Sequence, residues 1–548
     1  MSEMSTEIPE ETQRIASASF PKGNNYLRLR DEAGPLFCEE EFSDLYSWKG
    51  TEEIPASYLA TVTVLQYAEG LSDRQAAEQV RGRIDWKYLL GVEITYAGFD
   101  QSALSRFRER LLEAGAEARL FERPLARLRQ FGLVRGRGRQ RTDATHVLAQ
   151  IRTLNRLELV GETLRQALNN LAVLAPAWLT SWVPAVWFER YGTRIEEAKL
   201  PQETPQREAL AKTIGQDGYQ LLSALNTPAA PTYLRAEPAL QVLRMVWIQQ
   251  YTGPEHGGEW RQSGDLPPAS TMINSPYDAQ AQYSRKRKMS WTGYKVHLTE
   301  SCDEGLPQLL THVETTPATE PDCVTLPTIQ AALQAKALLP AEHLVDAGYM
   351  NVDNLVTSRQ TQQCELIGPM RPDSSWQART QTGYDIAHFL IDWVAQTVTC
   401  PQGHTSQVWS PTTNKQGDSS ISVRFATQDC LACPVRLACT HADTDPRGLH
   451  LQPTKTLHDS LPQARQQQQT SPFQDAYRAR AGIEATISQA TRTFELRRTR
   501  FVGQAKTRLQ HLATATAINL ARLNDWWQHR LPEKTRTSAF LELKFAIT

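Results

Sequence analysis

Three segments of this chain each carry an acidic residue on an element whose spacing indicates regular structure. TDATHVLAQ alternates like a β-strand and holds Asp143, with Thr145 on the same face because strand side chains alternate. The apolar run HLVD ends in Asp346, and the Ala-Gly-Tyr that follows it permits a turn. YRARAGIEATISQATRTF has helical spacing and holds Glu484. The sequence therefore predicts two strands and a helix that present three carboxylates.

The predicted glutamate helix has two distinct faces. At about 100° per residue, Tyr477, Arg480 and Glu484 fall within about 60° of one another. An adjacent apolar stripe is suited to packing against a sheet, and it consists of Ile483, Ile487 and Phe494. The polar face is thus free to meet a ligand while the apolar stripe holds the helix in place.

Carboxylates from two strands and a helix are the ligands that a two-metal phosphoryl-transfer site needs. The two ions of such a site lie ~3.5–4 Å apart and stabilise the attacking and leaving oxygens. Hard oxygen ligands suit Mg²⁺ or Mn²⁺. Each residue also has an ordinary interpretation, because strand-end aspartates often cap turns and helical glutamates usually face solvent. The residues alone leave both interpretations open.

Three strongly basic runs flank these acidic residues. Glu122–Thr142 has seven arginines and one acid, Tyr283–Lys295 has five cations and no acid, and Tyr477–Arg508 has eight cations and two acids. One such run alone is as well explained by a solvated face. Their common position beside the carboxylates favours a surface that binds phosphates.

Several segments together resemble successive blocks of the DDE-type insertion-sequence transposases, and within them the insertion sequence 1182-like group. The blocks are GLSDRQAAEQVRGRIDWKYLLG, FDQSALSRFRERL, TDATHVLA, SPYDAQAQYSRKRKMSWTGYKVHLTE, VDAGYM and YRARAGIEATISQATRTFELRRTRF. The most specific element is Tyr-x2-Arg-x3-Glu at Tyr477, Arg480 and Glu484. The resemblance runs from about Leu36 to the carboxyl terminus.

The resemblance implies an α/β catalytic core like ribonuclease H, in which Asp143, Asp346 and Glu484 are the catalytic Mg²⁺ or Mn²⁺ ligands. It also implies that Tyr477 and Arg480 contact DNA phosphates near the cut. In the competing interpretation Arg480 merely pairs with a nearby acid and steadies the helix. With the basic runs, the predicted DNA-binding residues are Tyr477, Arg480, Arg492, Arg497, Arg498, Arg285, Lys286, Arg287 and Lys295.

One position departs from the pattern of related transposases. They often carry a lysine seven residues after the glutamate, whereas this chain has Thr491 there. The neighbouring Arg492 is able to reach the same groove, and the role of this pair stays open.

Four cysteines crowd one segment and suggest a small zinc ribbon. Cys400-Pro-x-Gly-His404 is followed by Cys430-x2-Cys433-x5-Cys439. A Cys-x2-Cys knuckle turns two thiolates onto one tetrahedral Zn²⁺, and Cys400 and Cys439 complete four sulfurs. His404 or His441 is an alternative fourth ligand. The other interpretation is four unrelated buried cysteines.

The predicted organisation has an all-α amino-terminal domain and two insertions in the core. Ser72 is the expected cap of a helix that opens at Asp73, and a second helix follows Phe99. This pair suits either helix–turn–helix DNA binding or simple packing. The predicted divisions are 1–35 disordered, 36–131 helical, 132–154 first core part, 155–270 helical insertion, 271–370 core, 371–470 irregular Cys-rich insertion, and 471–548 carboxyl-terminal core helices.

Composition narrows the class of protein. The 548 residues are 40% hydrophobic and 22% charged, as in a globular protein. No apolar run of about 18 residues predicts a membrane span, and the polar amino terminus does not resemble a secretion signal. Cysteine usage favours a reduced, cytoplasmic protein, and the resemblance to insertion-sequence transposases implies a bacterial protein that associates with the nucleoid. No phosphate-binding Gly-rich loop or Gly-x-Ser-x-Gly motif is present.

The expected function is that of a transposase that needs no nucleotide fuel. Metal-activated water hydrolyses a phosphodiester at the element end, and the freed 3′-hydroxyl attacks target DNA. The expected partners are terminal inverted repeats and target DNA, bound by a homodimer on paired ends. The alternatives are a decayed or repurposed transposase that only binds DNA, and a metal-dependent nuclease without end preference.

Overall fold

The computed structural model describes residues 7–46, 54–253, 258–286, 288–380, 382–414 and 417–530. Arg287, one of the predicted DNA-binding residues, lies outside these ranges. The chain divides into two compact units. Unit 1 comprises Met1–Arg135, Ala144–Glu320 and Glu484–Thr548, and unit 2 comprises Gly136–Asp143 and Pro321–Ile483.

The amino-terminal part of unit 1 is helical, as expected for 36–131. Its helices are α1 (Glu10–Ser19), α2 (Asn25–Ala33), α3 (Ala56–Ala68), α4 (Asp73–Gly82), α5 (Ile84–Leu90), α6 (Ser102–Glu113) and α7 (Arg119–Gln130). The predicted cap is confirmed, because the Ser72 hydroxyl accepts the Gln75 N–H and the Gln75 side chain accepts the Ser72 N–H.

The expectation of a disordered segment over residues 1–35 is wrong for residues 10–33. Both α1 and α2 fall inside it, and Ala16 and Leu27 pack with Tyr88 in a small apolar core. Burial of these side chains offsets the entropy lost when the segment is ordered. The polar composition of the first dozen residues hid this anchoring.

Strand β1 (Arg139–Leu148) is followed by a helical region that has its own core. Its helices are α8 (Arg156–Leu174), α9 (Pro176–Thr180), α10 (Val186–Tyr191), α11 (Thr204–Ala224) and α12 (Pro238–Gln250). Trp187, Trp247 and Tyr251 are buried there, with Trp178 and Trp182 packed against them. The aromatic segment WLTSWVPAVWF predicts a core for this helical insertion, and the packing of its three tryptophans confirms that prediction.

The sheet strands of unit 1 form an antiparallel meander. They are β2 (Gln282–Lys286), β3 (Met289–Ser301) and β4 (Leu310–Pro317); β2 pairs with residues 289–293 of β3, and β4 pairs with residues 294–300 of β3. The part of β1 that belongs to unit 1 lies next to β3. Gly293 makes this approach possible, because a Cβ there would lie 2.1 Å from the carbonyl oxygen of Val147. The sequence predicts two adjacent strands in the segments YKVHLTESC and QLLTHVETT; these segments overlap β3 and β4, which pair with each other, so this prediction is confirmed.

Unit 2 contains a parallel arrangement of short strands. Helix α13 (Asp322–Ala335) leads to β5 (Glu342–Val345), and helix α14 (Val352–Gln362) connects β5 to β6 (Glu365–Ile367). The first part of β1 pairs in parallel with β5, and β5 pairs in parallel with β6. Parallel neighbours place their carboxyl ends at one edge, which is where α/β sheets commonly bind ligands.

The Cys-rich segment, expected to be irregular, has regular structure and a small core of its own. It contains α15 (Trp376–Thr380), β7 (Leu390–Asp392), β8 (Thr397–Thr399), β9 (Val408–Thr413), β10 (Ser419–Arg424), α16 (Thr427–Leu431), α17 (Arg436–Cys439) and β11 (Gly448–Leu451). The strands form a β7–β8 hairpin and a three-stranded sheet in the order β11-β10-β9. Their alternation is short and interrupted by turns, which concealed it in the sequence.

The remaining helices are α18 (Lys455–Gln467), α19 (Ser471–Arg478), α20 (Gly482–Thr493) and α21 (Gln504–Trp527). The expectation of one continuous helix through Tyr477 and Glu484 is wrong, because a 3₁₀ turn at Ala479–Ala481 separates α19 from α20. A 3₁₀ turn advances by about 120° per residue instead of about 100°. The angle calculated between Tyr477, Arg480 and Glu484 therefore does not hold.

Helix α21 is largely buried inside unit 1. It packs on α3 and α7 and on strand β4. The Asn519 side chain accepts the Leu310 N–H at 2.7 Å and donates to the Leu310 carbonyl at 2.9 Å. The small residues of ATATA at 513–517 are buried and let these neighbours approach closely. The helical part and the meander are thereby joined through one helix.

Candidate active site

Asp143 and Asp346 occupy neighbouring positions on two parallel strands of unit 2. The register of β1 and β5 pairs Thr142 with Val345, and each aspartate is the next residue. The Asp143 residue is 7% exposed. Two carboxylates held side by side at the carboxyl end of β5 are costly to keep charged unless a cation compensates them.

One compensating cation is Arg480. Its Nη2 donates to Asp143 Oδ2 at 2.5 Å, and both side chains are largely buried, at 16% and 10% exposure. A charge-assisted bond of this kind is stronger than a neutral one. The acid that the competing interpretation of Arg480 requires is therefore present, and it is itself one of the predicted metal ligands.

The turn after β5 brings a further carboxylate towards Asp346. The Gly348 N–H donates to Asp346 Oδ1 at 2.7 Å. A Cβ at Gly348 would lie 2.9 Å from Asp346 Oδ1 and 2.9 Å from Asp322 Oδ2. Asp346 Oδ1 and Asp322 Oδ2 both lie against Gly348, and these two oxygens are therefore less than about 6 Å apart. Asp322 begins α13 and was not among the predicted site residues.

Tyr349 is buried close enough to these carboxylates to be affected by their charges. Burial raises the pKa of its hydroxyl well above the ordinary value, and the negative charges of Asp322, Asp143 and Asp346 add to that shift. The Arg480 cation acts in the opposite direction. Tyr349 consequently stays protonated at any physiological pH and remains able to donate a hydrogen bond.

Arg141 supports the turn that carries Arg480. Its Nη1 donates to the Ala479 carbonyl at 2.5 Å, and a Cβ at Gly482 would lie 2.0 Å from the same nitrogen. The Arg141 side chain is therefore packed directly against the 3₁₀ turn. It is 4% exposed, so it supports the turn from inside unit 2 and is not part of the solvent-facing basic surface.

Sequence reasoning missed Asp322, Tyr349 and Arg141. Tyr349 lies in the block VDAGYM, of which the sequence points only to Asp346 as a site residue. Arg141 was hidden among seven arginines of one basic run. The only local signal for Asp322 is its position after Pro321 at a helix start, which ordinarily indicates a capping acid.

Glu484 is the third residue of α20, and its side chain is exposed. The apolar stripe predicted for this helix is confirmed, since Ile483, Ile487 and Phe494 are all buried. Glu484 belongs to unit 1, whereas Asp143 and Asp346 belong to unit 2. The site with all three carboxylates remains the prediction made from the sequence.

In unit 1 the predicted basic residues Arg497 and Lys286 come close to one histidine. Burial lowers the pKa of His146, and the cations Arg497 and Lys286 lower it further. The Arg497 Nε donates to Thr145 Oγ1 at 2.8 Å, and the His146 ring lies 5.6 Å from the Trp291 ring. Arg497 and the exposed Lys286 thus place two positive charges near His146 of β1.

The other predicted DNA-binding residues are dispersed. Arg285, Arg492 and Arg498 are exposed, and the Lys295 ammonium donates to the backbone carbonyl of Glu320. Tyr477, in unit 2, stacks on Phe473 with the ring centres 6.0 Å apart. The Thr491 hydroxyl is buried, which separates it from the exposed Arg492 next to it.

The four clustered cysteines of unit 2 line one cavity. Cys400, Cys430, Cys433 and Cys439 share it with His404 and Asp429, and all four thiols are free. Burial raises the pKa of Cys439, and the charges of the other three cysteines raise it further. His404 pairs with Asp429 at 3.6 Å, whereas His441 packs on the Trp376 ring.

No group of three or more His, Cys, Asp or Glu side chains within the described ranges is arranged to hold a metal ion. This applies to the carboxylates as well as to the cysteines. Among the helices that the structure describes, none has both the length and the apolar character that a membrane crossing requires.

Comparison with protein families gives two matches. Residues 15–110 match a family described as "Transposase domain (DUF772)", and residues 399–524 match one described as "Transposase DDE domain". The second match contains the four cysteines and Tyr477, Arg480 and Glu484, but neither match includes Asp143 or Asp346. A search of curated proteins found no match.

Together the two matches support a DDE-type transposase. A transposase DDE domain implies a core like ribonuclease H and generally uses a divalent metal such as Mg²⁺. The observed strands with flanking helices agree with a core like ribonuclease H. The amino-terminal part of the chain is helical and precedes those strands. Transposases bind the DNA ends of their elements, so DNA is the partner that the matches support.

Proposed function

We propose that this chain is a transposase of the insertion sequence 1182-like group that cleaves the ends of its element and joins them to target DNA. One observation carries the proposal: Arg480 of the Tyr-x2-Arg-x3-Glu motif donates to Asp143 at 2.5 Å. The motif lies in the segment that matches a DDE domain, whereas Asp143 lies 256 residues before that segment begins. The fold thus links the motif to an aspartate that the family match does not include.

The proposed reaction uses Asp143, Asp346 and Glu484 as ligands of Mg²⁺ or Mn²⁺. Their oxygen donors fit a hard cation, and Asp143 and Asp346 occupy adjacent strand positions. When bound, such ions supply an activated water and stabilise charge on the leaving oxygen. The chain hydrolyses a phosphodiester at the element end, and the freed 3′-hydroxyl then attacks a target phosphate in line.

Arg480 is proposed to orient the scissile phosphate. Its guanidinium is held at Asp143 by a charge-assisted bond, and a guanidinium fork can hold a phosphate through two parallel bonds. Tyr477 lies in α19, before the 3₁₀ turn that contains Arg480, and it adds an aromatic ring and a hydroxyl to the Tyr-x2-Arg-x3-Glu motif. Orientation of this kind lowers the barrier without any proton transfer by the protein.

DNA recognition is proposed to rest on the basic residues of unit 1. The charges of Arg497 and Lys286 both lower the pKa of His146, so the two cations lie near one another. Three further cations are exposed to solvent: Arg285, Arg492 and Arg498. Contacts to phosphates supply affinity that does not depend on base sequence. Two copies of the chain are proposed to hold the two terminal inverted repeats as a homodimer.

The Cys-rich segment is proposed to bind one structural Zn²⁺. Cys400, Cys430, Cys433 and Cys439 line a single cavity, and the last three follow the Cys-x2-Cys-x5-Cys spacing. Thiolates are the donors that structural zinc prefers. His404 lines the same cavity and remains an alternative fourth ligand, because a carboxylate near Nδ1, such as that of Asp429, is a common partner of a histidine that binds metal through Nε2.

Isosteric replacement of the carboxylates tests the catalytic proposal. Asp143→Asn, Asp346→Asn and Glu484→Gln should each abolish cleavage of labelled element-end DNA in Mg²⁺, because an amide is a poor ligand for a hard cation. Binding of the same DNA should change little, since affinity comes mainly from cations on phosphates. The exposed Asp265 provides the matched control, and Asp265→Asn should cleave normally.

Three results would decide against parts of this proposal. Near-normal cleavage by one of the three variants removes that residue from the ligand set. Binding without cleavage by the unaltered protein identifies a DNA-binding protein, and cleavage without preference for element ends identifies a general nuclease.

Metal analysis tests the zinc proposal separately. Purified protein should contain about one Zn²⁺ per chain, and Cys430→Ser together with Cys433→Ser should remove it. The double variant of Cys302 and Cys323 to Ser should retain the metal, because neither residue lines the cavity. A zinc-free protein that is folded and cleaves DNA would refute the proposal.

A further inference from the structure

Helix α20 is fastened to unit 1 by a buried charged group outside the predicted catalytic set. Glu300, on strand β3, is 0% exposed, and its Oε2 accepts a bond from Arg522 Nη1 at 2.7 Å. The Thr486 hydroxyl of α20 donates to the same oxygen at 2.5 Å. A fully buried carboxylate therefore has both a cation and a hydroxyl as partners.

Arg522, on helix α21, completes the connection through its other nitrogens. Its Nη2 donates to Thr486 Oγ1 at 2.7 Å, and its Nε donates to Gln489 Oε1 at 3.0 Å. Its Nη1 also donates to the Gln308 carbonyl at 2.6 Å. Two residues of α20 are thus bound to one guanidinium, which itself is bound to the strand region.

Thr486 lies two residues after Glu484 on the same helix. Two residues correspond to about 200° of helical rotation, so a bond at Thr486 fixes the face opposite Glu484. Apolar packing of Ile483 and Ile487 permits a helix to slide or rotate slightly, because it has no directional preference. Directional bonds from Thr486 and Gln489 set both the rotation and the axial position of α20.

We propose that the Glu300–Thr486–Arg522 group is a positioning device that sets where α20 presents Glu484. The inference rests on the proposed role of Glu484 as a metal ligand. The three residues do not touch metal or DNA themselves. Loss of the Thr486 bond lets α20 shift, and a metal ligand displaced by a fraction of an ångström binds its ion less well.

Two substitutions of Thr486 separate the bond from the packing. Thr486→Val keeps the shape of the side chain and removes the hydroxyl, whereas Thr486→Ser keeps the hydroxyl and removes the methyl group. Mn²⁺ binding to the protein with element-end DNA is measured by electron paramagnetic resonance, beside Mg²⁺-dependent cleavage. Amide hydrogen exchange over residues 482–493 reports on the helix itself.

Thr486→Val should raise the Mn²⁺ concentration for half-saturation about tenfold, as expected for a lost bond to a buried charge. The Mg²⁺ requirement for cleavage should rise equally, exchange over α20 should quicken, and DNA affinity should stay unchanged. Thr486→Ser should remain within about twofold of the unaltered protein in all four measurements.

Three results would overturn the inference. Unchanged Mn²⁺ binding by Thr486→Val would show that the bond does not position Glu484. Equal impairment of Thr486→Ser would assign the effect to the methyl group. Normal Mn²⁺ binding by Glu484→Gln would refute the role of the glutamate itself, and the inference would fail with the proposed function that it rests on.

Discussion

The side chains around Asp346 show how a single small residue governs a charged site. Gly348 donates to Asp346 and leaves room for Asp322 on its other side. Its backbone does not adopt the left-handed conformation that demands glycine. Space, and not backbone conformation, is thus the reason that this position has no side chain.

Gly348→Ala should therefore impair cleavage more than it impairs folding. A Cβ 2.9 Å from both carboxylates forces at least one of them to move, and displacement of the proposed metal ligand Asp346 should lower the cleavage rate about 10- to 100-fold. The melting temperature should fall only slightly, because Asp322 and Asp346 are half-buried. Cleavage rate and thermal unfolding are measured on the same preparation. Gly82→Ala is the control, since its Cβ meets nothing within 4 Å; equal rates for the two variants would contradict the crowding argument.

At the scale of elements, the sequence predicts strands β1, β3, β4 and β5 and many of the helices, but not the remaining strands or the way that α19 meets α20. Alternation located β1, and apolar spacing located α4 and α6, because each of these two helices buries one face. The residues Ala479–Ala481 do not themselves predict the 3₁₀ turn, since alanine and arginine both favour continuous helix; the glycine at 482 that follows them is a weak local signal of a break. The turn is instead fixed by Arg141, which lies 338 residues away from its partner Ala479. Contacts at such separation, including those of Asp322 and Tyr349, are not readable from a single sequence.

Helix α21 should make unit 1 sensitive to acid through His511. Burial lowers the pKa of this histidine to about 3, and its Nδ1 lies 2.8 Å from Thr315 Oγ1. The folded state then binds the proton more weakly than the unfolded chain, whose histidines titrate near ~6.5. The destabilisation is absent above about pH 6.5 and grows as the pH falls towards 3, by about 1.4 kcal/mol per pH unit.

Replacement of the histidine checks that sign. The difference in free energy of unfolding between the unaltered protein and His511→Gln should move by about 2 kcal/mol against the unaltered protein between pH 7 and pH 5. Urea unfolding at both pH values supplies the measurement. His450, exposed on β11, is the control, and His450→Gln should leave the difference constant. The same constancy for His511→Gln would show that the buried ring is protonated in the folded state.

At the scale of the whole molecule, positive charge is concentrated in a few segments of a nearly neutral chain. The chain carries a net charge of only −1, so its total charge does not attract DNA. Under the proposed function, affinity for DNA comes from local groups such as Lys286 and Arg497, which place positive charge near His146. The family matches cover residues 15–110 and 399–524 but not the residues between them. The basic run that holds Lys286 lies in that unmatched part.

Salt dependence of DNA binding measures how many local charges take part. Each phosphate neutralised by a protein cation contributes ~0.9 to the slope of log affinity against log salt concentration. Lys286→Ala should therefore reduce that slope by about one and weaken element-end and unrelated DNA alike, because a phosphate contact carries no base information. Lys199, 61% exposed and paired with Glu196, is the control, and Lys199→Ala should leave the slope unchanged. A Lys286→Ala protein that keeps its slope but loses only its preference for element ends would show that Lys286 reads bases and does not bind the backbone.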